Sequence, residues 1–217
     1  MFTQFLSDIK DAAPICPDCG AAMKNLGSRG KNIVSLLGEG TISRNYYGCE
    51  CGKHSLPKDE LLDIANTSFT PGIRRVVSQL AACDSFERSS ATLEEVCGIY
   101  VSSKDTERIS EAAGAAIEAE NAAKIEVAFS MNGAQQPTHP PIPIMYIEYD
   151  GTGIPVTKRE VAGRKGKQED GAAKTREVKL GMFTQTGLNE KGDPVRDRNS
   201  TTYFGAIETS ETFGKRL

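Results

Sequence analysis

Four of the six cysteines in this 217-residue sequence form two close pairs whose spacing suits metal binding. Cys16 and Cys19 stand in a Cys-Pro-Asp-Cys-Gly turn, and Cys49 and Cys51 stand in Cys-Glu-Cys-Gly. Two pairs of thiolates separated by one hairpin's length of chain are typical of a tetrahedral zinc site with four protein ligands. Such a closed set leaves no position for water, so we expect a structural zinc ribbon rather than a catalytic metal centre.

The second cysteine pair is one residue shorter than the Cys-x-x-Cys spacing that zinc ribbons usually have. Two alternatives to the four-cysteine site therefore stay open. In one, His54 replaces a cysteine as the fourth ligand, and in the other the ribbon is degenerate and holds no metal. The remaining cysteines, Cys83 and Cys97, fall in helical patterns, where we expect them to be buried as small apolar residues.

Asp150 is the second candidate for chemistry. The β-branched and aromatic residues before it predict a buried strand over residues 144–150, and Gly-Thr-Gly after it predicts a turn over residues 151–155. A carboxylate at the end of a buried strand needs a partner, a hydrogen-bond network or a metal ion. A structural aspartate in a turn is the alternative. Glu148 lies two residues earlier, so it shares the face of Asp150 and either supports a metal or pairs with a basic residue.

The elements that position these residues follow from periodicity. Runs at 32–37 and 41–47 predict a β-hairpin with its turn at 38–40. Three helices follow: one begins with Thr70 as N-cap and Pro71 as its first residue, a second spans 85–97 and ends at Gly98 as C-cap, and a third runs from Ser103, its candidate cap, to about residue 128. In the second helix, the residues expected to point inward are Phe86, Ala91, Leu93 and Val96.

Three helices with a short glycine-containing turn before the third resemble a helix-turn-helix array. Lys104 and Arg108 would then contact DNA from the start of the recognition helix, and a purely structural helical bundle is the alternative. Residues 130–143 are rich in Gly, Gln and Pro and predict a linker. Strands at 144–150, 176–186 and 200–208, with a short extension at 156–161, predict an antiparallel meander.

Charge is distributed unevenly along the chain. The net charge of −3 disfavours a general nucleic-acid binder, yet residues 151–217 carry a net charge of +4. Eight basic and four acidic residues lie between Lys158 and Lys179. This segment could follow phosphates, or it could be a solvated loop, and the candidate DNA contacts in it are Lys165, Lys167, Lys174 and Arg176.

The composition and the distribution of apolar residues predict neither a transmembrane helix nor a signal peptide. With 38% hydrophobic and 25% charged residues, the chain has no apolar run of about 18 residues and no basic, apolar leader at its start. We therefore expect a cytoplasmic protein, which the candidate DNA contacts above would make DNA-associated. In that compartment cysteines are more often metal ligands or free thiols than disulfides.

The sequence resembles insertion-sequence transposases of the Kra type, a branch of the DDE, RNase H-like superfamily. The matching stretches are CPDCG, CECG, YIEYDGTGIPVTKRE, AGRKGKQEDGAAKTREVKLG, FTQT and PVRDRNSTTYFGAIE. The resemblance implies an α+β chain with a zinc ribbon at 1–57, a helical DNA-binding region at 58–129, a linker at 130–143 and, at 144–217, the first strands of a truncated RNase H-like domain.

The resemblance also implies the chemistry. Asp150 would be the first acid of a catalytic triad that holds Mg²⁺ or Mn²⁺, and the other two acids would lie beyond Leu217. The partner would be the DNA ends of an insertion sequence, and the oligomeric state, including a homo-oligomer, is left open. One acid cannot hold two ions, so we expect this chain alone to show no turnover. The alternatives are a non-catalytic DNA-binding or regulatory protein and a non-functional remnant.

Overall fold

The computed structural model of the chain describes residues 12–130, 142–166 and 173–215. Its residues fall into two units, Met1–Ala122 and Ala123–Leu217. The architecture is mixed α+β with antiparallel sheets, as the sequence predicts. None of the helices in the described ranges combines the length and the apolar character that crossing a bilayer requires.

The first unit begins with a three-stranded antiparallel sheet in the order β1 (Lys24–Ser35), β2 (Gly38–Gly48) and β3 (His54–Ser55). The predicted hairpin is present, but its turn was placed wrongly. Ser35 pairs with Gly38, so the connection is the two residues between them, and Gly38 takes a φ of +101°. The Ser35 hydroxyl closes the turn by donating to the Gly38 carbonyl at 2.9 Å.

The inner face of this hairpin changes in character along its length. Near the turn, Ile33 and Ile42 are buried against Ile64. One register step further, Lys31 and Arg44 face a buried carboxylate on the next helix, and beyond them the face is open to solvent. The hairpin is therefore anchored at its turn end by apolar packing and ion pairs, and its other end is held by the cysteine turns.

Four helices follow: α1 (Pro57–Leu61), α2 (Pro71–Ala81), α3 (Phe86–Cys97) and α4 (Ser103–Ser130). The three longer helices correspond to the three predicted ones. They share one apolar core, whose buried members are Ile73, Val77, Leu93, Ile99, Val101 and Ile109. Proline at the first position of α1 and α2 fits the helix start, where its missing N–H would have no partner.

The predicted helix caps are confirmed only in part. Thr70 occupies the N-cap position of α2, but its side chain accepts no hydrogen bond, whereas Gly98 is the C-cap of α3 as predicted. Ser85 accepts a hydrogen bond from the Arg88 amide at the start of α3, and Gly98 ends that helix with a φ of +65°. Ser103 does not cap α4. Ser102 does so instead, because its hydroxyl accepts from the Asp105 amide at 3.1 Å and donates to the Asp105 carboxylate at 2.7 Å.

The expected burial along α3 was wrong. Of the four side chains expected to point inward only Leu93 is buried, and Phe86, Ala91 and Val96 are exposed. Ser89 and Ser90 complete the buried face, where the Ser90 hydroxyl donates to the Val101 carbonyl at 2.5 Å. Cys83 and Cys97, expected to be buried, are likewise exposed thiols. Because serines form part of this buried face, the spacing of apolar residues along the helix does not predict which side chains are buried.

The second unit contains β4 (Ile144–Pro155), β5 (Thr175–Leu188), β6 (Pro194–Arg196), β7 (Thr202–Ala206) and the short helix α5 (Ser210–Gly214). All pairings are antiparallel, and β5 pairs with β4 on one side and with both β6 and β7 on the other. The predicted three-strand meander is present as β4, β5 and β7, and β6 is a further short strand that the sequence did not predict.

β4 differs from its prediction in two respects. Residues 151–155 continue the strand rather than turn, and residues 156–161 form no strand. The glycine that suggested a turn makes room for a cross-strand side chain instead, because a Cβ at Gly151 would lie 2.5 Å from Glu177 Oε1. β4 is also an exposed strand at the edge of the sheet rather than a buried one.

Aromatic rings form the core of the second unit. Phe204 stacks between Phe183 and Phe213, with centroid distances of 5.2 and 5.1 Å. Phe213 comes from α5 and is buried, and it also contacts Tyr149 of β4. The sheet therefore packs its central aromatic residues under α5, while β4 retains large exposed apolar side chains.

Replacing Gly181 with alanine should destabilise the second unit. Gly181 pairs with Phe204 across β5 and β7, and a Cβ there would collide with the phenyl ring of Phe204. Overpacking of this kind costs about 1–3 kcal/mol of unfolding free energy. Gly187→Ala is the matched control, because it lies on the same strand with open space around it. Equal denaturation midpoints for the two variants would contradict this packing.

Candidate metal centre

Two tight turns present the four paired cysteines. In the first, the Gly20 amide donates to the Cys16 carbonyl at 2.9 Å, and the Cys16 amide donates to the Ala21 carbonyl at 2.8 Å. Gly20 has a φ of +72°, a conformation that L side chains rarely adopt. The turn therefore needs a glycine immediately after its second cysteine.

The second turn achieves the same closure with one residue fewer between its cysteines. The Gly52 amide donates to the Cys49 carbonyl at 2.9 Å, and the Cys49 amide donates to the Lys53 carbonyl at 2.8 Å. Gly52 has a φ of +88°. With the Cys-x-Cys spacing, therefore, the thiols of both Cys49 and Cys51 still point toward the first cysteine pair.

The ligand atoms of Cys16, Cys19, Cys49 and Cys51 all lie within 4.8 Å of one another. The Sγ atoms of Cys16 and Cys51 are 3.5 Å apart, and those of Cys19 and Cys49 are 3.4 Å apart. A tetrahedral zinc with Zn–S bonds of about 2.3 Å places its sulfurs about 3.8 Å apart, so the thiols fit such an ion closely. The four cysteines could therefore hold a metal ion such as zinc.

Backbone amides tune these thiols. The amides of Cys19 and Asp18 point at the Cys16 sulfur and lower its pKa to about 7, against desolvation that acts in the opposite direction. For Cys49, the Cys51 amide acts to lower the pKa, but the nearby thiols of Cys19 and Cys16 and desolvation leave it raised. Crowded thiols resist joint ionisation, and a bound divalent cation would relieve that repulsion.

His54 lies outside the cysteine cluster. Its ring stacks on Tyr46 with a centroid distance of 5.0 Å and an interplanar angle of 16°. The set of neighbouring potential ligands is therefore the four cysteines without a histidine. Within residues 12–130, 142–166 and 173–215, no second group of three or more His, Cys, Asp or Glu side chains comes close enough to share an ion.

Asp150 lies in the middle of β4, opposite Leu180 of β5, and not at a strand end. Its side chain is exposed, and Oδ1 accepts a hydrogen bond from the Gly151 amide at 2.7 Å. Glu148 is exposed on the same strand, opposite Met182. Since the described residues gather no third ligand near this pair, they do not by themselves make a magnesium or manganese site.

The basic residues proposed to contact DNA differ in their surroundings. On α4, Lys104 pairs with Glu107 at 2.6 Å and Arg108 pairs with Asp105 at 3.4 Å. Arg176 is half-buried, where it pairs with Glu160 and donates to the Ile207 carbonyl. Lys165 and Lys174 are exposed, and Lys167 lies outside the described residues.

A groove of about 1130 Å³ runs along α2 and the first half of α4. Three arginines line it: Arg74, Arg75 and Arg108. Arg74 is bound to Asp63 at 2.5 Å and Arg108 is paired with Asp105, whereas Arg75 is exposed with no carboxylate within ion-pair distance among the described residues. The groove therefore presents one uncompensated positive charge.

Sequence reasoning missed a second feature of the ribbon. The guanidinium carbon of Arg29 lies 3.8 Å from the ring centroid of Tyr46, whose other ring contact is His54. The three residues come from three different strands, so only the strand register brings them together. Alternation along β2, which places Tyr46 on the face of Arg44 and Ile42, was the one sequence signal available.

Comparison with curated proteins finds no match. Comparison with protein families matches residues 24–170, about two thirds of the chain, to an uncharacterised protein family, UPF0236. The matched stretch contains β1, the second cysteine turn, the four-helix region and Asp150. The chain therefore belongs to the uncharacterised protein family UPF0236.

Proposed function

We propose that this chain is a DNA-binding protein of the transposase type, in which Asp150 is one acid of a site for metal-dependent strand cleavage and transfer. The observation that carries the proposal is that the Asp150 carboxylate is exposed on an antiparallel sheet and has no partner cation among the described residues. It stands within the DGTG stretch, where the resemblance to Kra-type transposases implies the first acid.

The cysteine cluster supports a structural role for zinc in this proposal. Four thiolates would occupy all four coordination positions of a tetrahedral zinc ion. Such an ion would hold the two cysteine turns together and would have no open position for a substrate. The N-terminal ribbon would then be a rigid platform for DNA rather than part of the reacting centre. Exposed Lys165 and Lys174 and the uncompensated Arg75 are the residues that we expect to contact phosphates.

The chemistry of strand transfer places a demand on Asp150 that the described residues do not meet. Two divalent ions about 4 Å apart need several carboxylates around them. Asp150 and Glu148 are two carboxylates on one strand, and no third ligand comes within reach of them in the part of the chain that the structure describes. We therefore expect the chain to bind DNA and to leave it uncut unless further acids are supplied.

A second candidate, a non-catalytic DNA-binding or regulatory protein, is favoured by this same shortage of ligands. In that function the exposed carboxylate of Asp150 would only repel DNA. The two candidates differ in what a divalent ion does. A metal-binding Asp150 converts a repulsive charge into a bridge to phosphate, whereas a spectator Asp150 does not.

The test compares the chain with Asp150→Ala in binding a short fluorescent duplex, with and without Mg²⁺ or Mn²⁺. We expect the ion to strengthen binding by the wild-type chain more than by Asp150→Ala, while without the ion the variant binds equally or slightly more tightly. Glu190→Ala is the control for loss of one charge, because Glu190 is an exposed carboxylate in the turn after β5 of the same unit. An identical metal response in all three proteins would favour the non-catalytic function, and cleavage by the chain alone would contradict the expected lack of turnover.

A further inference from the structure

The three residues Arg29, Tyr46 and His54 form a stack, here called the ribbon ladder, on one face of the β1–β2–β3 sheet. Arg29 lies 3.8 Å from the Tyr46 ring centroid, and the His54 ring is nearly parallel to Tyr46 at 5.0 Å. Tyr46, which contacts both others, is half-buried, whereas Arg29 and His54 are exposed. The strand order places Arg29 on one side of the Tyr46 ring and His54 on the other, so the ladder offers solvent a cationic group at one end and the outer face of the His54 ring at the other.

The ladder occupies the uncovered part of a face that is otherwise packed. Toward the hairpin turn, the same face is covered by Ile64 and by Asp59 of α1. The strand register carries that face on to Arg29, which is opposite Arg44, and then to Tyr46 two residues along β2. Other elements of the chain therefore cover this face of the sheet as far as the ladder and leave the ladder itself uncovered, although the Tyr46 ring is a side chain that packs well in a core.

The charge of Arg29 is also exceptional for the ribbon. Lys24 pairs with Glu50, Lys53 pairs with Asp18, and both Lys31 and Arg44 pair with Asp59. Arg29 has no carboxylate within 4.0 Å among the described residues, and its contact is with the Tyr46 ring. An arginine that stacks on an aromatic ring and has no counter-ion can bind an anion. A ligand that carries both an anionic group and a planar group would suit this pair of side chains.

We propose that the ribbon ladder is a binding site for single-stranded DNA. A nucleobase would extend the stack by lying on the outer face of the His54 ring, and the Arg29 guanidinium at the other end would contact a phosphate of the same strand. Stacking needs a base whose faces are free, so the site selects unpaired strands over duplex. The inference rests on the proposed function only in taking DNA as the ligand, and it involves neither Asp150 nor the basic residues assigned to duplex contact.

The experiment measures the affinity of the full zinc-loaded chain for a fluorescent oligothymidylate strand and for a duplex of equal length. We expect His54→Ala to weaken single-strand binding about tenfold, the scale of losing one base–aromatic stack, and to change duplex binding little. Tyr46→Ala should have a similar effect, because it removes the ring that holds both His54 and Arg29 in the stack. Tyr46→Phe should retain most of the affinity because it keeps the ring. Arg29→Gln should weaken binding and flatten its salt dependence, since one phosphate contact is lost.

Tyr100→Ala is the matched control, because Tyr100 is an exposed tyrosine of the same unit outside the ladder. Zinc content and the amide exchange of β1 and β2 establish that each variant keeps the ribbon. Unchanged single-strand affinity in His54→Ala or Tyr46→Ala, or an equal loss in Tyr100→Ala, overturns the ladder site while leaving the proposed function intact. Failure of the wild-type chain to bind either DNA overturns both.

Discussion

Replacing Cys16 with serine is expected to abolish stoichiometric zinc binding and to unfold the N-terminal ribbon. Cys16 is buried, its pKa is lowered to about 7 by the amides that point at its sulfur, and it packs with Met23 and Tyr47 in a small core. Apparent zinc-binding free energies of about 10–16 kcal/mol in small zinc domains act as folding free energy, so three thiolates should not hold the turns together. Metal analysis and amide hydrogen exchange of β1 and β2 would measure the effect.

Cys83→Ser serves as the matched control, because Cys83 is an exposed thiol outside the cluster. It should retain one zinc per chain and wild-type protection of the ribbon. A chelator added to the wild-type chain should reproduce the Cys16→Ser phenotype, and acidification should do so as well, because protons compete with the metal for thiolates. One zinc per chain in Cys16→Ser would show that the cluster is not the metal site.

The second large effect is expected at Asp59, the buried carboxylate of α1. Its Oδ2 lies 2.5 Å from Arg44 Nη1 and 3.3 Å from Lys31 Nζ, and all three side chains are at most 15% exposed. Removing one partner of a buried ion pair costs about 3–5 kcal/mol, since the remaining charge is left without compensation. Here two cations would be left, so Asp59→Asn should lower the unfolding free energy of the first unit by at least that amount.

Glu60→Gln is the control for Asp59→Asn, because Glu60 is the next residue of the same helix and is exposed. Chemical denaturation should leave this control within about 0.5 kcal/mol of wild type, as for most surface substitutions. An Arg44→Leu/Asp59→Leu double variant should be more stable than Asp59→Asn, because it removes a buried charge together with its partner. A small effect of Asp59→Asn would show that the ion pair is solvated in solution.

Both effects concern the ribbon, and they differ in how far the sequence could predict them. The cysteine cluster was predictable because chelation depends on local spacing: two short turns, each closed by a glycine, place their thiols with little help from the rest of the fold. The ion pair of Asp59 was not predicted. Its partners lie 15 and 28 residues away on two strands, and only the docking of α1 on the hairpin brings them together.

For Asp150, too, the sequence predicted the local structure but not the surroundings of the side chain. The sequence predicted a strand leading into it, and the strand is present. It did not predict that the strand continues through Gly151 and Gly153, because the side chain that leaves no room for a Cβ at Gly151, that of Glu177, lies on the neighbouring strand. Nor could local hydrophobicity show that β4 is exposed, since burial depends on which elements cover the sheet.

The sequence by itself determined the features that depend on residues close together in the chain. These are the cysteine turns, the helix starts and ends, and the antiparallel order of the strands. The tertiary structure alone decided which face of each element is covered. It left Cys83 and Cys97 exposed, paired Arg44 with Asp59, and left Arg29 on Tyr46 without a counter-ion. The physical reason is that spacing sets local geometry, whereas burial and charge compensation depend on residues far apart in the chain.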